Sequence, residues 1–115
     1  MPSKIKIVNL EQDRPTVERM RLQLDRALSL ARSEGTAIVK LIHGYGSSGV
    51  GGVLRSEVWA SLVQYRDAGR IGDFIAGEDF RVSDQTTWDL LKRMPELKQD
   101  RDLGRQNKGI TIVLL

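Results

Sequence analysis

Residues Thr36 to Ile42 form a nearly continuous apolar run broken only by Lys40, and the run leads into a segment that holds five of the chain's eleven glycines, Gly44 to Gly52. A strand that does not alternate must be covered on both faces, so this one belongs inside a sheet and not at an exposed rim. The glycines constrain the segment after it. Ordering each costs roughly 0.5–1 kcal/mol more than ordering alanine, so a cluster stands where the backbone needs positive φ or close approach to a ligand.

The rest of the chain supplies partners for that strand. Lys4 to Leu10 alternates charged and β-branched residues and reads as a first strand. Asp13 and Thr16 can each cap the helix after it, whose apolar face is Val17, Met20, Leu24, Ala27, Leu28 and Ala31, with Gly35 as its stop. Strand, helix, strand implies a crossover connection and a parallel pair. Beyond the glycine segment, Leu54, Val58, Leu62 and Tyr65 keep helical spacing, and Ile71 to Ile75 reads as a third strand weakened by Gly72 and Asp73. Residues 81–108 are polar and irregular; Ser83 or Asp84 can cap a short helix bearing Trp88, Leu91 and Met94, closed by Pro95. Gly109 to Leu115 is the clearest strand. The expected class is α/β, a βαβαβ-type α+β sandwich with helices against a small sheet and a short helix before the last strand.

Composition removes several chemistries. The 115 residues, 40% apolar and 29% charged, suit one globular domain, residues 1–115. The absence of cysteine excludes disulfides, thiol nucleophiles and Cys-ligated metals, and a single histidine excludes a two-His metal site within one chain. No stretch approaches the ~20 apolar residues of a membrane span, so a cytoplasmic domain is expected. The net charge of +3 is compatible with nucleic acid without being diagnostic; residues 1–55 carry the excess.

A glycine segment between a strand's carboxyl end and a helix's amino end is a natural phosphate site, because unpaired N–H groups and the helix dipole point there. Gly44, Gly46, Gly51 and Gly52 are the candidate backbone contacts, Arg55 a bidentate partner, and Lys40 and Tyr45 flanking contacts to phosphate and base. Arg14, Arg105 and Lys108 could add phosphate contacts. Gly44-x-Gly46-x-x-Gly49 matches a dinucleotide fingerprint only as a string: it comes after the second strand, and the chain has no room for paired Rossmann halves. No Lys-Ser or Lys-Thr comes after it as a P-loop requires.

His43-Gly44-Tyr45-Gly46, then Gly52-Val53-Leu54-Arg55, resembles the His-Gly-x-Gly-x-Gly-x-Leu-Arg element of small MutS-related (Smr) domains. Gly109-Ile110-Thr111-Ile112-Val113 is similar to that family's terminal strand, and Thr16-Val17-Glu18 to the start of its first helix. The resemblance spans the chain except residues 81–108, which read as an insertion. It departs in two places: the glycine loop is longer by about Ser47 to Val50, and Asn9-Leu10-Glu11-Gln12 stands where the family usually ends its first strand in Asp-Leu-His-Gly or Asp-Leu-Arg-Gly. What the resemblance implies is a two-layer fold like the C-terminal domain of translation initiation factor 3. It also implies binding to DNA or RNA, with the ribosome as a candidate partner, and endonuclease activity by DNA nicking or RNA cleavage.

For such chemistry His43 is the one imidazole available for proton transfer, Arg55 the stabiliser of phosphoryl charge, and Glu11 the carboxylate at the neighbouring strand end that could orient the imidazole. RNA brings its own 2′-OH nucleophile; hydrolytic DNA nicking would call for Mg²⁺ or Mn²⁺, for which Glu11 and Asp13 are a thin ligand set and no metal site is assigned. The residues leave three readings open: an Smr-type endonuclease, a non-catalytic nucleic-acid-binding module of the same fold, and a small nucleotide- or phosphometabolite-binding protein. Glu11 within hydrogen-bond reach of His43 would mark an acid–base pair; a separation beyond about one bridging water would favour binding alone.

Overall fold

The structure, a computed structural model, describes residues 5–13, 15–45 and 50–115. Four strands form one sheet in the order β1-β2-β4-β3: β1 (Ile5–Asn9), β2 (Ile38–Ile42), β3 (Asp73–Ala76) and β4 (Ile110–Leu114). β1 and β2 are parallel, as the strand-helix-strand order implies, and β4 runs antiparallel between β2 and β3. The helices are α1 (Val17–Ser33), α2 (Val50–Asp67) and α3 (Gln85–Arg93), with short 3₁₀ turns at Gly77–Asp79 and Pro95–Gln99.

Local chemistry sets these boundaries. Thr16 caps α1, its hydroxyl accepting the Arg19 N–H at 3.2 Å, while Asp13 takes a left-handed turn before it. Gly35 and Gly69, both at positive φ, come just after α1 and α2. Asp84 caps α3 through the Thr87 N–H at 3.0 Å, and Pro95 stands just past its end. The third strand begins two residues later than its apolar residues suggest. Ile71 is buried against the helices, and Gly72 already donates to Leu114 O.

The alternation of β2 and β4 assigns two cores. Val39, Leu41 and Val113 face α1 and α2, where Met20, Leu24, Leu28, Leu54, Val58 and Leu62 close over them. Ile38, Ile110, Ile112 and Leu114 face the other way, onto Phe80, Leu90, Leu91, Met94 and Leu97. The irregular segment after β3 therefore covers the second face of the sheet, which is why β2 could be apolar almost throughout. To the two layers of sheet and paired helices it adds a third.

That cover closes tightly at one point. A Cβ on Gly77 would lie 1.8 Å from Asn107 O and 2.8 Å from both Ile110 Cγ1 and Ile110 O, a space only glycine can occupy. Gly77→Ala should lower unfolding free energy by about 1–3 kcal/mol through overpacking. Gly52→Ala is the control: its Cβ meets only Tyr45 O, at 3.6 Å, and alanine's better helix propensity should leave stability unchanged or raised. Urea unfolding should show a lower midpoint for the first variant alone, at unchanged slope.

Candidate functional site

The carboxyl ends of the parallel strands β1 and β2 open onto one edge of the sheet, where ligand sites in open α/β sheets gather. There β2 continues into His43, whose backbone N–H donates to Gly109 O at 2.9 Å; the Gly44 N–H donates to the same carbonyl at 3.1 Å. Gly44 sits at φ 72°, a turn that brings Tyr45 to the surface.

His43 is fully buried, and both its ring nitrogens are engaged. Nδ1 lies 2.6 Å from Gly44 O, an acceptor only, so Nδ1 carries the proton. Nε2 is then the acceptor, 2.8 Å from Thr111 Oγ1, and the Thr111 hydroxyl donates to it. The same hydroxyl oxygen accepts the Trp59 indole N–H at 2.9 Å. Indole, hydroxyl, imidazole and carbonyl thus form one chain in which every donor has an acceptor. Burial is the main reason the imidazole pKa lies below its ordinary 6.5, opposed by the Gly44 carbonyl and reinforced by the nearby Arg55 charge. No hydrogen bond joins His43 to Glu11, whose own N–H caps back onto Asn9 Oδ1 at 3.0 Å. The structure brings the two residues to one edge but does not pair them. Both ring nitrogens of His43 are thereby engaged within the fold.

Arg55 lies beside this chain, its guanidinium stacked 4.0 Å from the Trp59 ring centroid and bonded to Glu78 Oε2 at 2.5 Å. Arg55 Nε and Glu78 Oε1 are buried without a hydrogen-bond partner. Glu78, Thr111 and Trp59 are the members of this cluster that the sequence reading did not bring to the site. Their one sequence signal is position at strand ends or on α2, and it has meaning only once the strand order is known. Gly51 and Gly52 fall in the first turn of α2. Gly46, residues 47–49 and Arg14 lie outside the described residues.

Lys40 is also engaged within the fold. Its side chain is 8% exposed and bonded to Asp100 Oδ1 at 2.9 Å and to Asp102 Oδ2, so its charge is paired inside the protein. Burial raises the Asp102 carboxyl, but the Asn107 amide and the Lys40 and Arg101 charges outweigh it and hold the group below the ordinary carboxylate range. The pair of aspartates anchors segment 100–109 to the middle of the sheet.

That segment and the His43–Tyr45 turn enclose a groove of about 350 Å³ on the second face of the sheet. Ile7, Ile42 and Ile110 line it from the strands, Tyr45 and Gly44 from the turn, and Arg101 and Asn107 from the anchored segment; Glu11 lies at the β1 end. Tyr45 is 58% exposed. Arg101, Arg105 and Lys108 are exposed, and no salt bridge engages any of them among the described residues. Among those residues no group of three or more His, Asp or Glu side chains is placed to hold a metal ion.

The lowered imidazole pKa has a measurable consequence. Above about pH 6.5 His43 is neutral folded and unfolded; below it the unfolded chain binds the proton first, so stability falls as pH falls, with a limiting slope of ~1.4 kcal/mol per pH unit until the folded pKa is passed. Denaturant unfolding between pH 7.5 and 5.5 should show this loss in the parent chain, and His43→Gln should flatten it.

Comparison with known proteins agrees with the geometry. The Smr domain family model matches residues 13–79, more than half of the chain. No curated protein matches. Among solved structures, the Smr domain of Thermus thermophilus MutS2 superposes with a TM-score of 0.60 at 24% identity, over 96% of both chains. No helix among the described residues is long and apolar enough to cross a membrane. On the family match and the shared mixed α/β architecture, this chain belongs to the Smr domain family.

Proposed function

We propose that this Smr domain binds nucleic acid along the edge where β1 and β2 end, and that it works as a binding module. The observation that carries this reading is the pairing state of its charges. Lys40 is neutralised by two aspartates, whereas Arg101, Arg105 and Lys108, on the segment that forms one wall of the groove, are exposed and free of salt bridges among the described residues. Unpaired cations beside a groove are the electrostatic footprint of a phosphate backbone. His43 serves this reading by holding the strand end in place. With both ring nitrogens bonded and no contact to Glu11, it has no open position for a reacting proton. Residues 81–108 are, in this reading, an addition to the family fold that builds the second wall.

Phosphodiester cleavage is the second reading, and one observation favours it: Arg55 and Glu78, next to His43, each keep a buried polar atom without a partner. A guanidinium could stabilise charge on phosphoryl oxygens there, and a carboxylate could accept a proton.

Titrating the protein into labelled oligonucleotide at several salt concentrations tests the first reading. Affinity should fall as salt rises, and Arg105→Gln with Lys108→Gln should reduce the slope of log K against log salt by about one for each lost phosphate contact. Salt-independent affinity, or tight binding of a free nucleotide instead, would contradict it. Supercoiled plasmid and structured RNA, incubated with and without Mg²⁺, should stay intact. Cleavage abolished by Arg55→Gln or Glu78→Gln would establish the second reading.

A further inference from the structure

We infer that the groove beside Tyr45 takes an unpaired nucleotide, its base stacked on the Tyr45 ring and its phosphate on Arg101, so that the domain prefers single-stranded to duplex nucleic acid. The inference rests on the proposed nucleic-acid binding and adds to it the form of strand that is bound.

Three features of the groove lead there. Tyr45 is the one aromatic side chain lining it among the described residues, and at 58% exposed it presents a ring that neither core uses. A base inside a duplex keeps both its faces covered by neighbours, so such a ring can be used only by a base that has left the stack. Beside Lys40, which its two aspartates hold, the strand residues of the groove are the apolar Ile7, Ile42 and Ile110, and Ile7 is 64% exposed. They offer a flat base the kind of surface that a hydrated phosphate avoids.

Charged side chains also line the groove. Arg101 is exposed and free of salt bridges among the described residues, a contact for the flanking phosphate, while Glu11 lies at the β1 end. A carboxylate there repels a second phosphate and can accept a hydrogen bond from an exocyclic amine on a base edge. Asn107 is not a reader of bases. Its amide donates to Asp102 Oδ1 at 3.0 Å and its carbonyl oxygen accepts the Gly109 N–H at 2.9 Å, so it holds the wall in shape. Arg101 and Asn107 stand beyond residue 79, where the family match ends.

The test uses the full chain with single-stranded and duplex probes of one sequence, each as DNA and as RNA, read by fluorescence anisotropy. The single strands should bind more tightly than the duplexes. Tyr45→Ala should weaken single-strand binding by roughly tenfold and leave duplex binding unchanged, while Tyr45→Phe, which keeps the ring, should retain parent affinity. A 2-aminopurine in the single strand should be quenched on binding by the parent and by Tyr45→Phe but not by Tyr45→Ala. Salt-dependent binding that ignores strandedness and is untouched by Tyr45→Ala would overturn this inference and leave the broader reading standing. No binding to any probe would remove both.

Discussion

One hydroxyl joins three elements at the edge of the sheet where β1 and β2 end. Thr111 on β4 accepts from Trp59 on α2 and donates to His43 at the end of β2. Removing it would leave the buried His43 Nε2 without a partner, at a cost of ~1–3 kcal/mol, and free the part-buried Trp59 N–H. The chain also fixes direction. The imidazole must keep its proton on Nδ1, that proton must go to Gly44 O, and Gly44 must turn with positive φ for the carbonyl to receive it. The turn that exposes Tyr45 is set by a bond made beneath it. The ring is held at both nitrogens, Nδ1 on Gly44 O and Nε2 on Thr111 Oγ1.

A second polar link works from the opposite face. Lys40 places a charge in the middle of an otherwise apolar strand, where an isolated ammonium would be costly. Asp100 and Asp102 pair with it, and that requirement draws segment 100–109 across the sheet, while Gly77 packs against Asn107 O from the end of β3. The groove exists because this segment is tied down at the lysine, the aspartates and the asparagine. An otherwise flat sheet face acquires a second wall carrying unpaired arginine and lysine.

Much of the fold was legible because local chemistry decides it. The apolar face of α1, the Thr16 and Asp84 caps and the parallel pairing of β1 with β2 all come from patterns a few residues long. The polar site was less legible, since its contacts join distant residues: His43 and Thr111 are 68 positions apart and meet only because β4 lies beside β2. Lys40 looked like a phosphate contact for the same reason, its partners lying 60 or more positions away. Residues 81–108 concealed a layer of the structure. Trp88, Leu91 and Met94 showed the short helix, but the buried positions Leu90, Leu91, Met94 and Leu97 are spread over that helix and a 3₁₀ turn, too briefly to show that they cover a sheet. Glu78 had no signal apart from its place just after the third strand.

The state of His43 is the point on which this account stands or falls, and imidazole ¹⁵N NMR reads it directly. The predicted result is a neutral ring at pH 7 with the proton on Nδ1, slow to exchange, and a midpoint of protonation below 6.5. A freely exchanging ring that titrates at the ordinary value, or one protonated on Nε2, would mean that the Trp59–Thr111–His43 chain does not hold the strand end and that the imidazole is open for catalysis.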